Sequence, residues 1–219
     1  MFALVSAFPG RRLRRRHLLC AVLAGAVTPR LARALAPADP AAPIAALYTA
    51  LEAVMRQGTA TSFRYRFQTV APVIDRTFDL PAILRSSVGA RWTTLETAAQ
   101  SALQAAFRRF TIATYVANFD KYDGERFELM PTLRHVGADQ IVQTRIIQDT
   151  GEPIRLDYVM RQADADWRAI DILIDGTISR VAVQHSDFRA LLHDRDATAL
   201  IASLRQKAAE LAGGSQLDS

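Results

Sequence analysis

Cysteine is almost absent from this sequence of 219 residues. The single cysteine, Cys20, lies in an apolar run near the N-terminus, so the rest of the chain can form no disulfide and offers no thiolate as a nucleophile or metal ligand. A domain formed by that remainder must therefore be stabilised by its hydrophobic core. About 180 residues are enough for one domain with a sizeable core.

Sequence motifs of enzyme active sites are also missing. None of the four histidines pairs with another at i, i+4, and none lies in an H-E-x-x-H arrangement. The chain has no G-x-S-x-G motif, no glycine-rich phosphate-binding loop and no cluster of metal-ligand residues. We therefore predict no catalytic residue, no metal site and no cofactor, and we expect His135, His185 and His193 at the surface.

The apolar run near the N-terminus is too short to cross a bilayer. Leu18 to Val27 spans 10 residues, whereas a membrane-spanning helix needs about 20. The basic segment RRLRRR precedes this run, and Ala34-Leu35-Ala36 after it supplies the small residues of a signal-peptidase site. The pattern predicts a cleaved export signal over residues 1–36. An uncleaved membrane anchor is the alternative.

Two arginines of this segment indicate the export route. Arg15-Arg16-His17-Leu18-Leu19 resembles the twin-arginine pattern R-R-x-F/L-L. An apolar run rich in alanine and glycine, followed by Arg30 and Arg33, also suits twin-arginine export better than the Sec route. A Sec signal with an unusually basic start is the alternative.

Positive charge is in excess only within this segment. Seven of the 27 basic residues and none of the 22 acidic residues lie in residues 1–36, which leaves 20 basic and 22 acidic residues, a net charge of −2, in the remainder. The high isoelectric point of the whole chain therefore gives no support for nucleic-acid binding.

The remainder shows helical periodicity, then strand periodicity, then helical periodicity again. Apolar spacing predicts helices from Ile44 to near Gly58, over residues 61–78 with a bend or break at Pro72, from Pro81 to Val88, from the N-cap Thr94 to about Phe119, over 186–193 with Ser186 as N-cap, and over 197–211. A period of two predicts strands near 126–134, 140–149, 153–162 and 166–175. Short turns between these strands predict an antiparallel meander.

These elements predict an α+β fold, in which helices cover a curved, mainly antiparallel sheet of about four to five strands. Residues 44–212 would form this single domain, after a flexible stretch at 37–43 and before a disordered tail at 213–219. A helix-covered apolar sheet either packs shut or encloses a cavity, and composition does not distinguish the two.

The two faces of the predicted sheet differ in chemistry. The apolar face carries Ile154, Leu156, Tyr158, Met160, Ile170, Ile172 and Ile174. The other face carries Arg155, Asp157, Arg161, Trp167, Ala169, Asp171, Leu173 and Asp175. Its aspartates can be an acid–base pair, a metal site or a solvated surface. We expect a solvated surface, because a catalytic carboxylate pair needs unequal environments and no apolar pocket is expected on that face.

The sequence resembles the MlaC/toluene-tolerance family of periplasmic lipid carriers. The resemblance rests on two segments, GEPIRLDYVMRQADADWRAIDILIDGTISRVAVQHSDFRALL at residues 151–192 and AAFRRFTIATYVANFDKYDGERFEL at residues 105–129. Residues that match the family pattern follow in order: Thr144, Pro153, Leu156, Asp157, Tyr158, Trp167, Asp171, Gly176, Ser179 and Phe188. Two segments, FDLPAILRSSVGARW and TISRVAVQHSDF, resemble its hopanoid-biosynthesis-associated branch. Two features depart from the pattern, His185 in place of arginine and Asp194-Arg195-Asp196 in place of a glycine-containing turn.

The resemblance implies a carrier that moves a phospholipid or a hopanoid through the periplasm and supports outer-membrane lipid asymmetry. The apolar part of the lipid would lie in a cavity between helices and sheet, with the headgroup outside. The implied partners are an inner-membrane ABC lipid transporter complex and an outer-membrane lipoprotein complex. The lipid would be cargo and not a cofactor. The residues expected to contact it are Phe107, Phe110, Tyr115, Ile146, Ile154, Leu156, Tyr158, Ile170 and Ile172.

Two rival hypotheses belong to other classes of protein. One is an enzyme on a similar curved-sheet cone of the ketosteroid-isomerase shape, which needs a lone carboxylate or histidine inside the apolar cavity. The apolar faces of the third and fourth strands contain no such residue. The other is a periplasmic adaptor with a closed core.

Overall fold

The structure is a computed structural model that describes residues 39–193 and 195–214. The predicted export signal at 1–36, with Cys20 and the arginine pair, lies outside the described residues, as do residues 215–219 of the predicted tail.

Six α-helices and one five-stranded sheet occur within residues 39–193 and 195–214. The helices are α1 Ala42–Gln57, α2 Phe63–Thr77, α3 Leu80–Val88, α4 Thr97–Asn118, α5 Arg180–Arg189 and α6 Thr198–Leu211. The strands are β1 Arg126–Val136, β2 Asp139–Ile147, β3 Ile154–Ala163, β4 Asp166–Ile174 and β5 Ile178–Ser179. The predicted α+β class is confirmed. Helix α1 begins inside the stretch predicted to be flexible, with Pro43 in its first turn, where a missing amide hydrogen costs nothing.

The five described strands lie in chain order, and each pairs antiparallel with the next, so the predicted meander is confirmed. Leu156 lies opposite Thr144 of β2 and Ile174 of β4, and Tyr158 lies opposite Val142 and Ile172. Residues that lie opposite each other in an antiparallel pair share a face. The pairing thus joins the apolar residues of three strands into one surface.

The predicted faces are wrong for the first half of β4. The register shifts between Val159 and Met160, because Val159 lies opposite Asp171 whereas Met160 lies opposite Ala169. Ile170 is therefore the extra residue of a β-bulge, which changes the alternation of side chains. Trp167 and Ala169 are buried on the apolar face, and Ile170 does not continue that face.

Two predicted helix starts are wrong. Thr94 belongs to a 3₁₀ helix, Gly89–Thr94, where its hydroxyl donates to the carbonyl of Arg91 at 2.8 Å. Ser186 lies inside α5, whose N-cap is Ser179, seven residues earlier in the chain, with its hydroxyl accepting from the amide of Ala182 at 3.0 Å. Pro72 lies within α2 and does not divide it.

The helices cover the apolar face of the sheet through aromatic side chains. Tyr48 of α1 stacks on Phe127 of β1, with ring centroids 4.5 Å apart, and meets Tyr158 of β3 edge-on at 6.1 Å. Phe107 of α4 meets Phe188 of α5 edge-on at 6.2 Å. Phe119 at the end of α4 also meets Phe127, with ring centroids 5.9 Å apart, so α4 lies on the same side of the sheet as α1.

The outer face of the sheet contains a buried carboxylate where a solvated surface was predicted. Asp157 is 0% exposed, and Arg155 binds both of its oxygens, at 2.9 Å through Nε and 2.7 Å through Nη2. The amide of Gln143 donates to the same carboxylate at 3.3 Å. The guanidinium of Arg155 lies over Gly176 in the β4–β5 turn, where a Cβ atom would come within 2.8 Å of Cζ.

This close approach predicts a large effect of Gly176→Ala. Gly176 has φ +74°, a left-handed conformation that costs an L-residue about 1–2 kcal/mol, and the new methyl group would also displace Arg155 from Asp157. Gly137→Ala is the matched control, because Gly137 has φ +60° with open space around it. We expect thermal unfolding to show a loss of melting temperature in Gly176→Ala about twice that in Gly137→Ala. Equal losses would contradict the role assigned to Arg155.

Candidate functional site

A cavity of about 450 Å³ lies between α4, the apolar face of the sheet and the start of α5. Its walls are mainly aliphatic and aromatic. The apolar residues that line it are Met55, Phe78, Leu80, Ile83, Phe107, Phe110, Tyr115, Phe119, Ile146, Ile154, Leu156, Tyr158, Ile172, Ile174 and Val181. Ile154 is 38% exposed, so the cavity opens to solvent on its side of the sheet. Cavities of this size and composition bind apolar molecules in other proteins.

Eight of the nine residues predicted to contact lipid line this cavity, namely Phe107, Phe110, Tyr115, Ile146, Ile154, Leu156, Tyr158 and Ile172. Ile170 is not part of the lining, and its predicted position was wrong. The bulge in β4 takes Ile170 out of the alternation on which that prediction rested.

The connection between α2 and α3 forms a wall that the sequence pattern did not predict. Phe78 of this connection lines the cavity, together with Leu80 and Ile83 of the following helix α3. Phe78 forms an isolated parallel bridge with Ala169, and the amide of Asp79 donates to the carbonyl of Ala169 at 3.0 Å. The carboxylate of Asp79 accepts from the amide of Ala82 and starts α3. Of these features only the N-cap, Asp79, can be recognised in the sequence. The bridge between Phe78 and Ala169 joins residues far apart in the chain, so no local pattern indicates it.

Two phenols, those of Tyr115 and Tyr158, line the cavity, and Tyr158 belongs to a hydrogen-bonded network behind the wall. The Thr144 hydroxyl donates to the carbonyl of Leu156 at 2.7 Å, and the Tyr48 hydroxyl lies 2.5 Å from Thr144 Oγ1 and 3.3 Å from the Tyr158 hydroxyl. Burial raises the pKa of Tyr48, Tyr115 and Tyr158 above the ordinary phenol value. These phenols are therefore neutral at physiological pH, and this part of the wall is uncharged.

Asp171 has a different position from the one predicted, because it lines the cavity at its junction with α5. Its Oδ1 accepts from the amides of Ile172 at 2.8 Å and Val181 at 3.1 Å, and its Oδ2 accepts from the Ser179 hydroxyl at 2.5 Å. The carboxylate thus holds the first turn of α5, where negative charge is favourable. Asp175 is exposed in the following turn and is absent from the lining among the described residues.

Two other kinds of feature, a metal site and a membrane-spanning helix, are absent from the described part of the chain. Within residues 39–193 and 195–214, no group of three or more His, Cys, Asp or Glu side chains is placed to hold a metal ion. None of the helices described there is long and apolar enough to span a bilayer.

Comparisons with known proteins give a family and a fold. Residues 46–206 match the family model described as MlaC protein. Among curated proteins, none matches the chain significantly. The chain is structurally similar to the phospholipid-binding protein from Ralstonia solanacearum in complex with a phospholipid, with a TM-score of 0.68 and 22% sequence identity, over 80% of this chain and 99% of that chain. At this level of identity, the similarity shows a shared fold.

Proposed function

The chain belongs to the MlaC family, and from this premise we propose that it is a carrier that binds the apolar part of a lipid in the cavity between α4 and the sheet. The observation that carries the proposal is the cavity itself, with apolar residues from α4, β3 and β4 around about 450 Å³. The phospholipid held by the Ralstonia solanacearum protein of the same fold supports the same cargo class.

Burial of an acyl chain supplies enough free energy for such a carrier. Each methylene removed from water contributes about 0.8 kcal/mol, so a chain of about 16 carbons contributes on the order of 10 kcal/mol. An apolar cavity can therefore compete with a bilayer for a lipid. Transfer of this kind needs no covalent step, and we propose that the protein is not an enzyme.

The finer proposals come from the sequence. We propose a phospholipid or a hopanoid as cargo, because FDLPAILRSSVGARW and TISRVAVQHSDF resemble the hopanoid-associated branch of the family. We also propose export to the periplasm through the arginine pair at residues 15 and 16, with an inner-membrane ABC lipid transporter complex and an outer-membrane lipoprotein complex as partners.

Fractionation of cells that produce the Arg15→Lys/Arg16→Lys variant tests the export route, and normal export of that variant would return the signal to the Sec class.

Native mass spectrometry of the protein purified from a bacterial envelope tests the carrier proposal. We expect a mass increment equal to one intact lipid, which organic extraction removes. A bare chain in every preparation would instead favour the closed-core adaptor. A bound product that lacks an acyl chain or a headgroup would favour an enzyme.

A further inference from the structure

The mouth of the cavity carries an arginine without a partner. Arg180 is the first residue of α5 and lines the cavity. Within residues 39–193 and 195–214, its side chain has no hydrogen bond and no ion pair. Its positive charge acts on the phenol of Tyr115, whose pKa it lowers against the larger effect of burial. The guanidinium is thus close enough to the cavity wall to act on a group inside it.

Within residues 39–193 and 195–214, neither carboxylate of the lining, Asp171 or Glu125, forms an ion pair with Arg180. Both oxygens of Asp171 accept hydrogen bonds from the first turn of α5 and from Ile172. Glu125 accepts from the amide of Asp123 at 2.7 Å. Arg180 therefore keeps its five N–H donors available at the mouth. The mouth of the cavity therefore presents hydrogen-bond donors that a bound ligand can use.

We propose that Arg180 binds the anionic oxygens of the cargo, so that the protein selects an amphiphile with a phosphate or carboxylate group beside its apolar part. This inference rests on the proposed lipid-carrier function and makes it more specific. A planar guanidinium donates two parallel hydrogen bonds to either oxyanion, whereas a hopanoid or acylglycerol with only hydroxyl groups offers no charge to bind.

Three single-chain amphiphiles test this selection by calorimetric titration of the delipidated protein, below their critical micelle concentrations. Palmitoyl lysophosphatidate carries a phosphate, palmitate carries a carboxylate, and monopalmitoylglycerol carries the same acyl chain without charge. We expect the wild-type protein to bind both anions about tenfold more tightly than the neutral lipid. A preference for only one of the anions identifies which oxyanion Arg180 binds.

Variants at two positions of α5 separate recognition from charge and folding. Arg180→Gln should remove the preference for anions and leave the affinity for monopalmitoylglycerol unchanged, whereas Arg180→Lys should keep part of it because lysine is a point charge without the planar fork. Arg189→Gln is the control, since Arg189 ends the same helix, is exposed and does not line the cavity. Melting temperatures should be unchanged in all three variants.

Two results would overturn the inference, and they differ in what else they affect. If the wild-type protein binds all three amphiphiles equally, or if Arg180→Gln keeps the wild-type ratio of affinities, the carrier proposal stands and the role of Arg180 is wrong. If the wild-type protein binds none of the three, the carrier proposal fails and the inference fails with it.

Discussion

Leu156→Asp is expected to abolish the lipid that co-purifies with the protein. Leu156 is the third residue of β3, it lies between Thr144 and Ile174 of the neighbouring strands, and its side chain lines the cavity. A carboxylate placed there would be removed from water without a partner, and burial of an unpaired charge is strongly unfavourable. The acyl chain would lose its site even though the backbone of the strand is unchanged. Native mass spectrometry measures the lipid-bound fraction directly.

Two further variants keep this result interpretable. Val136→Asp places the same charge on β1 at a residue that is 53% exposed and does not line the cavity, so it should retain lipid at the wild-type level. Leu156→Trp fills the cavity without adding charge and should also lower lipid occupancy. A folded Leu156→Asp protein with wild-type lipid content would show that β3 does not form the lipid-binding wall.

The position of this wall could be predicted because its signal is local. Leu156 and Tyr158 alternate with Arg155 and Asp157 along β3, and an uninterrupted strand converts that alternation into two faces. The fourth strand has the same kind of pattern, but the extra residue Ile170 changes the alternation. A bulge depends on pairing with the neighbouring strand, so the sequence of β4 alone gives no sign of it.

The start of α5 was misplaced for a different reason. This helix is largely exposed, and Phe188 is its one buried residue in the described structure. The apolar residues of this helix therefore show almost no helical periodicity, and a prediction from hydrophobic spacing has little signal to use. The cap at Ser179 is nevertheless visible in the sequence as a serine directly before the helix, and Asp171 reinforces it from β4. Cap chemistry was the better guide here than hydrophobic spacing.

The aspartates of the outer face have structural roles that differ from one another. Asp171 holds the first turn of α5, Asp157 is buried and paired with the partly exposed Arg155, and Asp175 is exposed in the turn. The sequence placed all three on one solvated face, because alternation reports which way a side chain points and not what covers it. The cover over Asp157 is the Arg155 side chain, which lies against Gly176.

Arg155→Met is expected to produce the largest loss of stability among these changes. It would leave Asp157, which is 0% exposed, with only the amide of Gln143 at 3.3 Å and a distant Arg134 at 3.9 Å. Arg155 itself is 40% exposed, but removal of the partner of a buried charge is costly because that charge stays desolvated. Arg134 is half-exposed and can move closer, so we expect a fall in melting temperature of about 5–10 °C. Arg145→Met is the control, since Arg145 lies opposite Arg155 on the same face and is exposed.

The double variant Arg155→Met/Asp157→Leu shows whether buried charge causes this loss. If it does, removing both charges should recover more than half of the lost melting temperature, because apolar groups can replace a buried ion pair at little cost. If Arg155 acts mainly by packing its methylenes on Gly176, the double variant should instead be no more stable than the single one. The coupling between the two changes, measured by thermal unfolding in a double-mutant cycle, decides between these causes. Lipid occupancy should be unchanged in every folded variant of the cycle, because both side chains lie on the face opposite the cavity and neither lines it.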